Sequence, residues 1–237
     1  MSKHNSSKMH LPGPHNITRF RLANGITVLA FSNMSSKSLT ISGMLSSGGI
    51  WDPPGKYGTA HFTAAMLMRG NENNSFQEIN DQLEGVGASL SFSASTRNTY
   101  FRGRSLVKDF PLLLALIRDS LTRSTFPEIY IKRLRNQLLT GLIIRDQDTQ
   151  EKASLEYDRI LFRDHPYGTP VDGYPDTIQA IQREDLVRHH QTYQPQDAIL
   201  AISGALQEEE IKSVIQQFLG DWNTVDGISE PLFPALP

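Results

Sequence analysis

His61-Phe62-Thr63-Ala64-Ala65 is the stretch where residue type and spacing come nearest to chemistry. Residues at i and i+4 share one face of a helix. Two histidines so placed can hold a zinc ion, and a carboxylate at i+3 can activate the metal-bound water for hydrolysis. His61 fills the first ligand position, but Ala64 stands where the base belongs and Ala65 where the second ligand belongs. The frame is present and the donors are not.

No other cluster offers a better site. His189 and His190 are neighbours, so on a helix they point about 100° apart and cannot share a metal in the i, i+4 manner; they read as a solvated surface pair. His61 reads as a packed histidine held by its helix environment. Asp146, Asp148 and Glu151 lack the glycine-shaped spacing of a calcium loop and read as a solvated helix turn. Ser46-Ser47-Gly48-Gly49 has no Gly-Lys-Ser/Thr ending to cradle phosphate, and no serine sits in a Gly-x-Ser-x-Gly frame. Glu208-Glu209-Glu210 fits the acidic first turn of a helix. With no cysteine in the chain, disulfides, thiolate ligands and a cysteine nucleophile are excluded.

Composition sets the outer bounds. The 237 residues are 38% hydrophobic and 20% charged, with a formal charge of −2, which gives no reason to expect a nucleic-acid partner. No apolar run approaches the ~18 residues that span a membrane, so no membrane partner is expected. Residues 1–17 are polar and lack the apolar segment of a signal peptide; they read as a flexible tail. Absence of cysteine fits a reducing compartment, and a cytoplasmic location is expected.

The elements that must position His61 follow from periodicity. Thr18 to Phe31 alternates around Asn24-Gly25, a pair whose tolerance of positive φ predicts a hairpin. A third strand is expected over Leu39 to Leu45. The helix bearing His61 should begin after Asp52-Pro53-Pro54-Gly55 and stop at Gly70. Phe76, Ile79, Leu83 and Val86 predict a helix ending near Gly85 and Gly87. Ser89 to Thr96 and Thr99 to Leu106 read as paired strands. Leu112 to Leu121 is an amphipathic helix. Pro127 should open another helix at its first helical position, running towards Phe162 with a bend near Asp146-Gln147-Asp148. Two short helices over 176–181 and 183–193, a strand over Ala198 to Ser203 and a helix over Glu208 to Leu219 complete the pattern. The fold class is α+β, a mainly antiparallel sheet with helices packed on one face.

Taken in this order, the motifs resemble the M16 metallopeptidases, the family of insulinase, pitrilysin and the mitochondrial processing peptidase. Gly58 to Gly70 fits the family's Gly-x-Ala-His-Phe-x-Glu-His-Met-x-x-x-Gly segment at its framing positions. Gly87-Ala88-Ser89-Leu90, Ser95-Thr96-Arg97, His165-Pro166-Tyr167-Gly168, Gly173 and the stretch from Tyr193-Gln194-Pro195 to Gly204 also match. The likeness spans residues 18–223, an M16-like domain, and leaves 224–237 as a linker. Members of the family carry two such units, so the chain resembles the first.

The resemblance also implies what the site has lost. Aligning Gln137 to Gly141 with the family's long helix puts the third zinc ligand, a glutamate, at Gly141, and neither Gly141 nor the adjacent Leu142 is a carboxylate. Base, second histidine and glutamate are thus Ala64, Ala65 and Gly141, and zinc is expected only in a partner subunit. In the family a strand beside the metal helix receives the peptide; Ser89, Leu90, Ser91, Phe92 and Ser93 occupy that place, although a protected sheet edge would look the same. Phe62, Met66 and Phe92 are apolar groups that could line a peptide chamber. The implied function is a non-catalytic subunit that pairs with a homologous zinc-bearing chain, or a second M16-like unit, and helps enclose peptide substrates. The alternatives are an active zinc metalloendopeptidase with unusual ligands, or a purely structural assembly subunit.

Overall fold

The computed structural model describes residues 12–225, 227–228, 231–232 and 236. Most of the expected tail, up to Leu11, and parts of the expected linker lie outside the described residues. Among the described residues six strands form one sheet: β1 (Thr18–Arg21), β2 (Thr27–Ser32), β3 (Ser38–Leu45), β4 (Ser89–Ala94), β5 (Thr99–Leu106) and β6 (Ile199–Gly204), in the order β1-β2-β6-β3-β5-β4. Only β2 and β6 run parallel; every other pair is antiparallel. The helices are α1 (Thr59–Met66), α2 (Phe76–Gly85), α3 (Phe110–Thr122), α4 (Glu128–Gln147), α5 (Thr149–Phe162), α6 (Pro175–Ala180), α7 (Arg183–His190) and α8 (Glu208–Leu219).

Alternation gives the sheet two unlike faces. Val28, Ala30, Leu39, Ile41, Leu45, Phe101, Leu200 and Ile202 point into a core shared with α2, α3 and α8. Gly43 belongs to the same inward set, opposite Phe101. A β-carbon there would fall 2.1 Å from the Phe101 ring, so only glycine lets that ring lie across β3. The outward set, which includes Ser91, Tyr100, Arg102 and Arg104, faces solvent. A second apolar cluster joins Phe62 and Met66 of α1 to Ile131, Leu134 and Leu142 of α4 and to Ile178, Ile181 and Leu186.

Several elements differ from the sequence reading in detail. The α1 helix stops at Met66, and Gly70, with φ 132°, instead forms an isolated bridge to Ser75. At the hairpin only Gly25 takes positive φ; the Asn24 side chain donates to the carbonyls of Leu219 and Trp222, 2.7 and 3.0 Å away. Pro127 is the N-cap of α4 rather than its first helical residue. The bend expected at 146–148 is a break: Asp148 leaves the helical region at ψ 116° and caps α5, accepting from the backbone N–H of Gln150 and Glu151. The acidic run forms the first turn of α8, as expected, with Glu210 accepting from the Gln207 N–H at 2.7 Å. Among the described residues no helix is long and apolar enough to cross a membrane.

Candidate functional site

The site is built on the start of α1. Asp52 closes that helix end: Oδ2 accepts from the Gly58 N–H and Oδ1 from the Ala60 N–H, each at 2.8 Å. Burial pushes this carboxyl up to about 7, against the pull of those N–H groups. Lys56 then pins the preceding turn to α7 through Asp185, at 2.8 Å. From the other side Gly173, at φ 72°, lies so close that a β-carbon would meet the Tyr57 carbonyl oxygen at 2.2 Å. The Pro166–Tyr174 loop therefore packs directly on the turn that launches α1.

His61 is half-buried on this helix, and burial lowers its basicity while the Asp172 charge opposes that shift. Asp172 is itself held by Arg145 of α4, whose Nη1 donates to it at 2.9 Å and to the Gly173 carbonyl at 3.0 Å. Ala64 is buried, while half-buried Ala65 packs in the cluster that holds Leu138 and Leu139 of α4. Gly141 lies on α4 one turn from both Leu138 and Arg145, and a β-carbon there would meet nothing within 4 Å. The two helices that would present a metal-binding set thus stand side by side. Catalytic zinc takes three protein ligands, and the positions His61, Ala64, Ala65 and Gly141 hold one donor. The residues present do not fit that metal. Among the described residues no group of three histidines and carboxylates is placed to share an ion.

The strand Ser89 to Ala94 is one of the two edges of the sheet, opposite β1, with β5 on one side and no described strand on the other. Leu90 and Phe92 are half-buried against the core, and Ser89, Ser91 and Ser93 face solvent. The α1 helix packs against this edge strand, so the edge runs beside the helix that carries His61. Phe62 and Met66 do not line an open face: both are buried against α4, α6 and α7.

The sequence reading of His189 and His190 is corrected here. His189 is buried and His190 is half-buried. His189 is enclosed by Asp52, Ser47 and Tyr193, and burial drops its ring to about 3; His190 packs on Phe126 and Tyr193 and drops to about 4. Adjacency alone reads as a surface pair because the partners that cover these rings, Asp52, Ser47 and Phe126, come from distant parts of the chain. Ser47, His189 and Asp52 have the composition of a hydrolytic triad, with Ser47 Oγ 3.4 Å from His189 Nε2 and His189 Nδ1 3.8 Å from Asp52. Ser47 has no exposed surface, so no substrate reaches it. Its hydroxyl is engaged by Thr192 at 2.5 Å.

Comparison with known proteins decides the family. The sequence model of the insulinase family, peptidase family M16, matches residues 27–173, more than half of the chain. The chain belongs to the M16 family. It is 28% identical over 209 residues to the mitochondrial-processing peptidase subunit beta of Saccharomyces cerevisiae, covering 84% of this chain and 44% of that protein. A Rickettsia bellii protein named as an uncharacterised zinc protease is 26% identical over 193 residues, covering 81% of this chain and 47% of that one. Among solved structures, the M16 inactive domain of Pseudomonas fluorescens superposes with a TM-score of 0.85 at 25% identity, over 93% of this chain and 54% of that one. A Helicobacter pylori protease shares the fold, with a TM-score of 0.84 at 18% identity over 92% and 53%. The chain spans about half the length of the M16 relatives it matches.

Proposed function

We propose that this chain is a non-catalytic M16 subunit that pairs with a zinc-bearing homologue, or a second M16-like unit, and helps enclose peptide substrates. The observation that carries the reading is the retained α1–α4 framework with His61 as its single donor. Losing three functional side chains while keeping the helix start, the Gly173 contact and the free β4 edge suits a chain selected for shape and peptide contact. The yeast relative is named as a subunit and the Pseudomonas domain as inactive, and both descriptions agree with that role.

A partner needs a surface. On α5, Tyr157, Ile160 and Leu161 form an i, i+3, i+4 stripe exposed by 64%, 61% and 40%, and Ile143 and Ile144 of α4 are exposed as well. No residue of α5 is buried. Single exposed apolar residues need no explanation, but a stripe of this kind fits a docking face. A stable pairing would bury roughly 1,200 Å² or more in total. Light scattering after size exclusion, with and without a zinc-bearing M16 homologue from the same source, tests the role. A one-to-one complex with altered peptide cleavage supports it. A chain that stays monomeric with every such homologue, and leaves their cleavage unchanged, refutes it.

A further inference from the structure

The charge of the open sheet face carries an inference about which peptides the edge would accept. The six strands contain four arginines, Arg19, Arg21, Arg102 and Arg104, and no aspartate or glutamate. Arg21 has Asp197 at 3.4 Å. Arg102 and Arg104 make no ion pair among the described residues. They stand exposed on β5, one strand in from the free edge, opposite Ser91 and Ser89 of β4. On their other side β3 offers Ser42 and Thr40, again without a carboxylate. In a chain whose formal charge is −2, two unmatched cations flanked by small hydroxyl side chains are a local excess.

We propose that Arg102 and Arg104 make the β4 edge selective for acidic peptides, which add as a further strand and place alternate carboxylates on the open face. The proposal rests on the peptide-binding role given above and names the substrate class of that edge. Strands in a sheet lie about 4.8 Å apart, so an added strand would sit about 10 Å from β5. Serine side chains on β4 are too short to block that span, and an extended guanidinium meeting a glutamate carboxylate closes it. The peptide's other residues would face the Leu90 and Phe92 side, where apolar groups fit. Period-two alternation then fixes the pattern: apolar on one face, acidic on the other. Backbone pairing supplies affinity, and the arginines supply the preference.

Three fluorescein-labelled peptides test this on the intact chain by anisotropy: alternating valine with glutamate, glutamine or lysine. Glutamate should bind about threefold to tenfold tighter than glutamine, the range expected of two solvent-exposed charge pairs, with lysine weakest. Added salt should narrow the spread. The double variant Arg102→Glu, Arg104→Glu, checked for native circular dichroism, should invert the order and favour lysine. Equal binding of all three peptides, or an order unchanged in the double variant, would overturn the acidic preference while leaving peptide binding intact. Binding of none would overturn both the preference and the peptide-binding role.

Discussion

The Asp52 carboxylate lies 3.8 Å from His189 Nδ1, each side chain is 2% exposed, and no hydrogen bond closes the gap. Two titratable groups are therefore shut away together beneath the start of α1. Burial dominates both, raising the acid to about 7 and lowering the imidazole to about 3, so the pair avoids charge instead of forming a buried ion pair.

Opposing pH dependences follow. His189 and His190 titrate near 6.5 when unfolded and near 3 and 4 when folded, so their contribution is complete above 6.5 and lost as pH falls. Asp52 acts the other way: its contribution is complete below 3.8 and lost as pH rises to about 7. Between pH 4 and 6 two histidines oppose one carboxyl, so stability should rise with pH with a net slope of about one proton. Asp52→Asn removes the opposing group and should steepen the slope towards two protons in urea titrations. An unchanged slope would show that Asp52 is ionised in the fold.

Gly141 and Gly173 should respond oppositely to alanine. Gly141 sits inside α4 with open space around it, so Gly141→Ala should stabilise by about 1 kcal/mol. Gly173→Ala would press a β-carbon on the Tyr57 carbonyl at positive φ and should cost about 3 kcal/mol. Thermal unfolding of the two variants checks the pair. A mild Gly173→Ala would mean that the loop moves freely off α1.

Restoring donors should restore metal binding. Ala65→His with Gly141→Glu adds two ligands to His61 on helices that already pack together, without forcing a side chain into the closed space at Ala64. Competition with a chromogenic chelator should show zinc bound at least about tenfold tighter than by the parent, a difference of about 1.4 kcal/mol. No gain in a folded variant would mean that Gly141 does not face His61.

Partner docking should depend on the α5 stripe. Tyr157→Glu with Ile160→Glu should leave the fold intact, since both residues are exposed, and weaken association with a zinc-bearing homologue by about tenfold or more. Sedimentation velocity of the mixture reads this out, and undiminished complex would place the interface elsewhere.

Much of this architecture is legible in local pattern. Alternation marks the strands from Thr18 to Leu106, and the Phe76, Ile79 and Leu83 spacing marks α2. The α1 frame, from Gly58 to Gly70, points to the site, but local pattern does not show where that helix ends, because Gly70 leaves it to meet Ser75. Nor does it show β6 slotted between β2 and β3, since parallel pairing across the chain leaves no turn signal. The burial of His189 is equally hidden, because its neighbour Ser47 lies 142 residues earlier. Phe62 and Met66 are read too generously as chamber lining because apolar side chains look alike whether they meet solvent or another helix.

Metal content together with cleavage tests the central claim most directly. The purified chain, dialysed against zinc and measured by elemental mass spectrometry, should hold far less than one zinc per chain. It should cleave no unfolded peptide alone, yet change the cleavage by an added zinc-bearing M16 homologue. About one zinc per chain, with peptide cleavage lost on chelation and recovered with zinc, would contradict a non-catalytic subunit.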